Sequence, residues 1–386
     1  MTTTINSTAP AALAKILTPA VSAGRAAGAT RGVLVSPGPQ DGLVSGRATD
    51  LETEIEIVTE GGIDSETLIG ADGFGPADFM GPARPTFTAS DCFIGMSYRD
   101  LRDIATRVAV AADDTNSRYA LQGVHIDADE TGGGTVDAVA TDGRRLHWAH
   151  INHATVTGGI RCVLPLAALV TFDRVLRAAA REVYGLSGNR LESALWAGQV
   201  TVTVVGLTAI VRWGGPEHLP LLHVTATARI VEGRFPAWRE VLAGATGGTP
   251  SVAACVNLPG DSARGLRECV KLQNAAEKAG RTAHKEKHRG VRSCLVPVYH
   301  HPRGITVTEA GATARGCDWG SDTVRSPATT ILDPGFLAAG ITSISRGGSS
   351  VALHAIDGQK AVTLTAAAGD ERDGAAVTVV IMPIAK

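Results

Sequence analysis

The chain of 386 residues exceeds the size at which one hydrophobic core usually stops growing, so two or three domains are expected. A formal net charge of −2 excludes a uniformly basic surface and makes the distribution of charge the informative quantity. No apolar run reaches the roughly eighteen residues of a membrane span, and the six cysteines form no Cys-x-x-Cys pair, so the expectation is a cytoplasmic protein without a secretory signal, with buried free thiols, no zinc knuckle and no redox motif.

From Ala11 to Val21 the residues Leu13, Ile16, Leu17, Ala20 and Val21 recur at helical spacing, and Gly24 and Gly28 end the pattern. Strands are expected over 32–35 and 42–58. In the second, Glu52, Glu54 and Glu56 alternate with Ile55 and Ile57, which predicts one wet face and one dry face. Residues 59–86, rich in Gly, Pro and Asp, form a long connection. A second helix opens at Ser97, with Leu101, Ile104, Ala105 and Val108 on its apolar stripe and Arg99, Arg102 and Arg107 off it.

Strands flank the Gly-rich turn at 131–134. The next helix runs from Pro165 to Val183, carrying Arg174, Arg177 and Arg181 at i, i+3 and i+7, and alternating strands follow from Leu195 to about Ile230. A strand over Ser251 to Leu258 then leads to a long helix from Asp261, whose Arg264, Arg267, Lys271, Asn274 and Lys278 share one face. From Asp261 to Arg292 there are nine Lys or Arg against four Asp or Glu, so positive charge concentrates on helices. A strand at Val291, a short helix from Pro334 to Ser345 and two final strands complete the order.

A helix running into a residue-Gly-Val strand start occurs three times, at Arg31-Gly32-Val33, Gln122-Gly123-Val124 and Arg289-Gly290-Val291. Twice the following strands end in Ala-Thr-Asp, at 48–50 and 140–142. The spacing is too wide for a solenoid and implies repeated domains or half-domains. Nucleotide and hydrolase chemistry lack support, because no Lys follows a Gly, and neither His-Glu-x-x-His nor Gly-x-Ser-x-Gly is present. His147, His150 and His153 lie in a strand-like segment where His150 points away from the others, against a shared metal. An enzymatic reading would need that segment to hold one.

Five motifs, in order, resemble the bacterial DNA polymerase III beta subunit, the sliding clamp. They are Arg118 to Val124; Ala140-Thr141-Asp142-Gly143-Arg144-Arg145-Leu146; Val231 to Arg239, containing Gly-Arg-Phe-Pro; His288 to Arg292; and the terminal Val380-Ile381-Met382-Pro383-Ile384. The resemblance is strongest from Phe87 onward. It implies an α+β DNA-clamp fold of repeated helix-plus-antiparallel-strand halves, with two protomers closing head to tail into a homodimeric ring. The implied domains are 1–86, 87–245 and 246–386. In the first, residues 60–86 stand where the family has a second half, and Lys278 to Lys287 adds a charged helix end at the ring contact of the third.

The resemblance further implies a non-catalytic processivity factor without a cofactor. Its partners would be duplex DNA, the DNA polymerase III alpha subunit, an ATP-driven clamp loader, and repair polymerases with other clamp-motif proteins. A ring that slides needs phosphate attraction without base readout. The candidates on inward helices are Lys15, Arg25, Arg99, Arg102, Arg174, Arg177, Arg264, Arg267, Lys271 and Lys278, with Arg118 and Tyr119 on an additional DNA-contacting loop. A partner-peptide pocket would be lined by Leu121, Thr141, Gly143, Arg145, Leu146, Pro236, Val241, Val380, Met382, Pro383 and Ile384. Glu240 stands beside it where the family tends to be basic. The alternative expectation is a clamp-derived peptide-binding module that does not close around DNA.

Overall fold

The computed structural model describes residues 10–22, 32–49, 53–61, 63, 65–69, 92–113, 119–130, 134–246, 254–258, 296–301, 304–307, 312–315, 328–345, 351–355, 361–366 and 376–382. The chain divides into two α+β units, one from residues 1–105, 114–138 and 151–233, the other from 106–113, 139–150 and 234–386.

In the first unit, helix α1 (Pro10–Ser22) buries Leu13, Ile16, Leu17 and Ala20 and leaves Lys15 exposed, as its period requires. It packs on strands β1 (Val33–Pro37), β2 (Leu43–Thr49) and β3 (Thr53–Glu60). Strands β4 (Thr67–Ile69) and β5 (Cys92–Ser97) follow, then helix α2 (Tyr98–Asp103), whose N-cap Ser97 accepts from the Asp100 amide. Next come β6 (Gly123–Asp129), β7 (Thr135–Thr141), which passes into the second unit at Val139, β8 (Arg145–Ile151), which belongs to the second unit up to His150, and, back in the first, β9 (Thr155–Thr157) and β10 (Ile160–Pro165). Helices α3 (Leu166–Tyr184) and α4 (Gly188–Ala197) precede β11 (Gln199–Val205), β12 (Thr208–Gly214) and β13 (Leu222–Arg229).

One antiparallel sheet of this unit has the order β4-β1-β2-β3-β13-β12-β11-β5-β9. Helix α3 packs across β13 and β3 and against α1, with Phe172, Val175, Leu176 and Ala179 fully buried, and it ends at Gly185, whose φ of +62° needs no Cβ.

Two expectations fail here. The strand over 42–58 is two strands paired as a hairpin, and the wet glutamate face is not wet: Glu54 is 1% exposed and ion-paired to Arg47 at 2.7 Å, while half-buried Glu56 accepts from the Ser45 hydroxyl at 2.9 Å. Strand β3 is an interior strand, bonded to β2 on one side and β13 on the other, so alternation did not mark a solvent face. The segment around Leu195 is helix α4, not strand. Leu191, Ala194 and Leu195 form its buried stripe at i, i+3 and i+4, and the strand begins only at Gln199.

In the second unit, helix α5 (Trp238–Thr246) precedes β14 (Ala254–Leu258), β15 (Val296–His301), β16 (Gly304–Val307), β17 (Ala312–Arg315) and β18 (Ala328–Leu332). Helix α6 (Pro334–Ile344) and strands β19 (Val351–Ala355), β20 (Val362–Ala366) and β21 (Ala376–Ile381) complete it. Antiparallel pairing runs β8-β21-β20-β19-β14, and a separate sheet runs β17-β16-β15-β18. Asp333 caps α6 by accepting from the amides of Gly335 at 2.7 Å and Phe336 at 3.3 Å, with Pro334 at the first turn. Leu337, Ile341 and Ile344 bury its inner face over β20 and β21. The expected helix from Asp261, the strand at Val291 and most of the 59–86 connection lie outside the described residues.

Candidate partner pocket and helix-layer charges

The turn between β7 and β8 explains why its motif needs those residue types. The Thr141 hydroxyl donates to the Arg145 carbonyl at 2.6 Å and accepts from the Gly143 amide at 3.0 Å. Asp142 Oδ1 accepts from the amides of Arg144 at 2.9 Å and Arg145 at 3.0 Å, and its other oxygen takes the Arg145 Nε at 3.0 Å. Gly143 sits at φ +85°, a conformation that a side chain would strain. The Met382 amide donates to the Arg144 carbonyl at 2.9 Å, tying the chain after β21 to this turn. The Arg145 guanidinium carbon lies over the Phe336 ring, 4.7 Å from its centroid.

Beside the turn, Leu146 on β8 and Val380 on β21 are directly paired and buried, in one apolar cluster with Val139, Trp238, Ala245 and Ala361. Half-buried Trp148, Phe235 and Leu242 pack against it. Trp148 and Trp238 are tilted at 36° with ring centroids 6.2 Å apart, His150 lies 5.7 Å from Trp148, and Arg239 stacks over Trp238 at 4.3 Å. In the same unit, Val241 and Met382 are 39% and 43% exposed, and Pro236 is exposed too.

Of the expected pocket residues, the second unit thus holds Thr141, Gly143, Arg145, Leu146, Pro236, Val241, Val380 and Met382. Thr141 and Arg145 are committed to shaping the turn. Leu121 is buried in the first unit, and Pro383 and Ile384 lie outside the described residues. Trp148, Phe235, Trp238 and Leu242 were not among the expected lining residues. Their signals were the period-2 run Leu146, Trp148, His150 and the helical spacing Trp238, Val241, Leu242, Ala245.

His147 faces away from Leu146 on the same strand and is fully buried. Its Nδ1 pairs with the Arg107 carbonyl at 2.7 Å, which makes that nitrogen the donor in the neutral ring, and Nε2 has no hydrogen-bond partner. Burial, reinforced by the Arg145 and Arg107 charges, depresses its pKa to about 4, against the pull of the Arg107 carbonyl bond and Asp142. Among the described residues no three His, Cys, Asp or Glu gather as metal ligands, and no helix is long and apolar enough to cross a membrane.

In the first unit, α4 packs against both α2 and α3. Its Glu192 takes Arg102 Nη1 and Arg177 Nη2 on separate carboxylate oxygens, each at 2.6 Å. Its Trp196 lies under the Arg99 guanidinium at 4.4 Å. Alongside, the Tyr98 hydroxyl donates to Asp173 at 2.6 Å, and burial raises the pKa of both groups. Lys15 and Arg174 are exposed, and Tyr119 is 65% exposed. Arg25, Arg118, Arg264, Arg267, Lys271 and Lys278 lie outside the described residues.

No family model and no curated protein matches this sequence. Solved structures do. The beta subunit from DNA polymerase of Streptococcus pyogenes aligns over 96% of this chain and 97% of its own at 16% identity and a TM-score of 0.65. The sliding clamp (DNA polymerase III subunit beta) from Bartonella birtlesii, bound to griselimycin, aligns over 97% and 96% at 14% identity and a TM-score of 0.67. The Helicobacter pylori beta clamp bound to a DNA ligase peptide aligns over 97% of each chain at 13% identity and a TM-score of 0.63. Along nearly its whole length, the chain is similar in fold to these bacterial sliding clamps.

Proposed function

We propose that this protein is a non-catalytic sliding clamp: a homodimeric ring that encircles duplex DNA and tethers a replicative polymerase, with no cofactor of its own. The observation that carries the reading is the coincidence of two independent features. The fold matches clamp structures over almost the full chain, and Met382, just after the terminal strand, is hydrogen-bonded to the motif turn next to the buried Leu146–Val380 pair, in a unit that also exposes Val241 and Met382. Such a site suits a short linear peptide anchored by a few hydrophobic side chains. Its users would be the alpha subunit of DNA polymerase III, the clamp loader, and repair polymerases or other proteins carrying the same tail motif. The ring would comprise three domains per protomer, 1–86, 87–245 and 246–386, and the protein would work in the cytoplasm.

A second reading, a peptide-binding module that does not close around DNA, is favoured by one feature. Before Cys92, the described residues hold one helix and four strands, a single helix-plus-strands half. Molar mass by light scattering over a concentration series separates the two readings. The ring predicts a stable mass twice the 39.8 kDa of the chain, whereas a persistent monomer would favour the module.

A further inference from the structure

Among the described residues, the helix layer of the first unit carries Arg99 and Arg102 on α2, and Arg174, Arg177 and Arg181 on α3. Three of these five meet α4. Glu192 bridges Arg102 and Arg177 through two short ion pairs, and Trp196 covers one face of Arg99. Arg102, Arg177 and Glu192 are each only about one-fifth to one-quarter exposed, so screening weakens these pairs less than it would at an open surface. Arg174 and Arg181, by contrast, are exposed.

We propose that α4 is a charge-masking helix and that Glu192 sets how many phosphates this layer can hold. The inference rests on the DNA-facing reading of α2 and α3. One carboxylate shared by two guanidiniums takes Nη1 of Arg102 and Nη2 of Arg177, and its negative charge offsets positive charge that would otherwise meet phosphate oxygens. Each phosphate neutralised steepens the dependence of log K on log salt by about 0.9 for duplex DNA, so the number of available arginines sets both affinity and salt sensitivity. A sliding protein gains from weak, sequence-independent contacts. Masking two arginines, rather than lacking them, retains the packing of α4 on α2 and α3 while weakening attachment.

The test compares full-length wild type with Glu192→Gln in duplex-DNA binding across a salt series, with Glu182→Gln, an exposed acid on α3, as control. Removing the Glu192 charge is expected to tighten binding about tenfold at low salt and to steepen the slope by about one to two units, with E182Q producing a clearly smaller change. Equal slopes in wild type and E192Q, with measurable binding in both, overturn the masking while leaving the DNA reading intact. Salt-independent or absent binding in both overturns the DNA reading and the masking with it. Should E192Q fold poorly, side-chain nitrogen NMR of the wild type on adding duplex decides. Arg174 Nε–H should shift while Arg102 and Arg177 stay in place; direct perturbation of the latter two overturns the proposal.

Discussion

Cutting back two exposed side chains of the proposed pocket, Val241→Ala together with Met382→Ala, is expected to weaken binding of a fluorescent polymerase-tail peptide by about 10- to 100-fold. Both side chains are 39% and 43% exposed, so they contribute modestly to folding, and in the proposed pocket they would contribute directly to docking of an apolar anchor. Thermal unfolding should therefore move by only about 2–4 °C. Leu146→Ala is the contrasting variant. Leu146 is 3% exposed and packed with Val380 and Trp238, so its truncation should cost about 2–5 kcal/mol of stability in addition to binding. Unchanged peptide affinity in V241A/M382A, measured by fluorescence anisotropy, would show that the peptide does not bind at this site.

Acid should selectively loosen the second unit through His147. Its ordinary pKa of 6.5 falls to about 4 in the folded chain, chiefly because the ring is buried, so between these values the unfolded chain holds a proton that the folded one does not. The resulting stabilisation is complete above pH 6.5 and is lost as pH falls towards 4; its full size is on the order of 3 kcal/mol. The groups around the ring act in known directions, Arg145 and Arg107 opposing its protonation and the Arg107 carbonyl and Asp142 favouring it. Replacing His147 with Gln, which can still donate towards the Arg107 carbonyl but does not titrate, should flatten the response. Hydrogen exchange of β8 and β21 amides from pH 6.5 to 4.5 is the measurement. Protection that falls equally in wild type and H147Q would assign the acid response to other groups.

What could be read from the sequence depended on whether a residue's role is local. The strand end at Ala140-Thr141-Asp142 was legible because the residues that stop the strand act on neighbours: Thr141 and Asp142 on the amides and carbonyl of the next residues, Gly143 on its own φ. Helix α6 was legible for the same reason, with Asp333 and Pro334 marking its start. Glu54 was misread because its burial depends on β13, a strand far along the chain that turns β3 into an interior strand. Helix α4 was missed because Leu195 invited a period of two, while Leu191 and Ala194 supply the helical period. The pairing of Trp148 with Trp238 was equally hidden, since it requires β8 and α5 to meet. Long-range pairing, not local propensity, set the outcomes for Glu54 and the tryptophan pair.

Topological linkage to DNA would show itself in retention after loading. The protein, loaded by its clamp loader with ATP onto a nicked circular duplex, is separated from free protein in high salt before and after the circle is cut once. A ring predicts that the protein stays with the circle and is lost on linearisation, because a sliding ring leaves through a free end. Equal retention on circle and linear duplex would mean ordinary surface binding, and loss from both would mean that the chain does not close around DNA; either result contradicts the account.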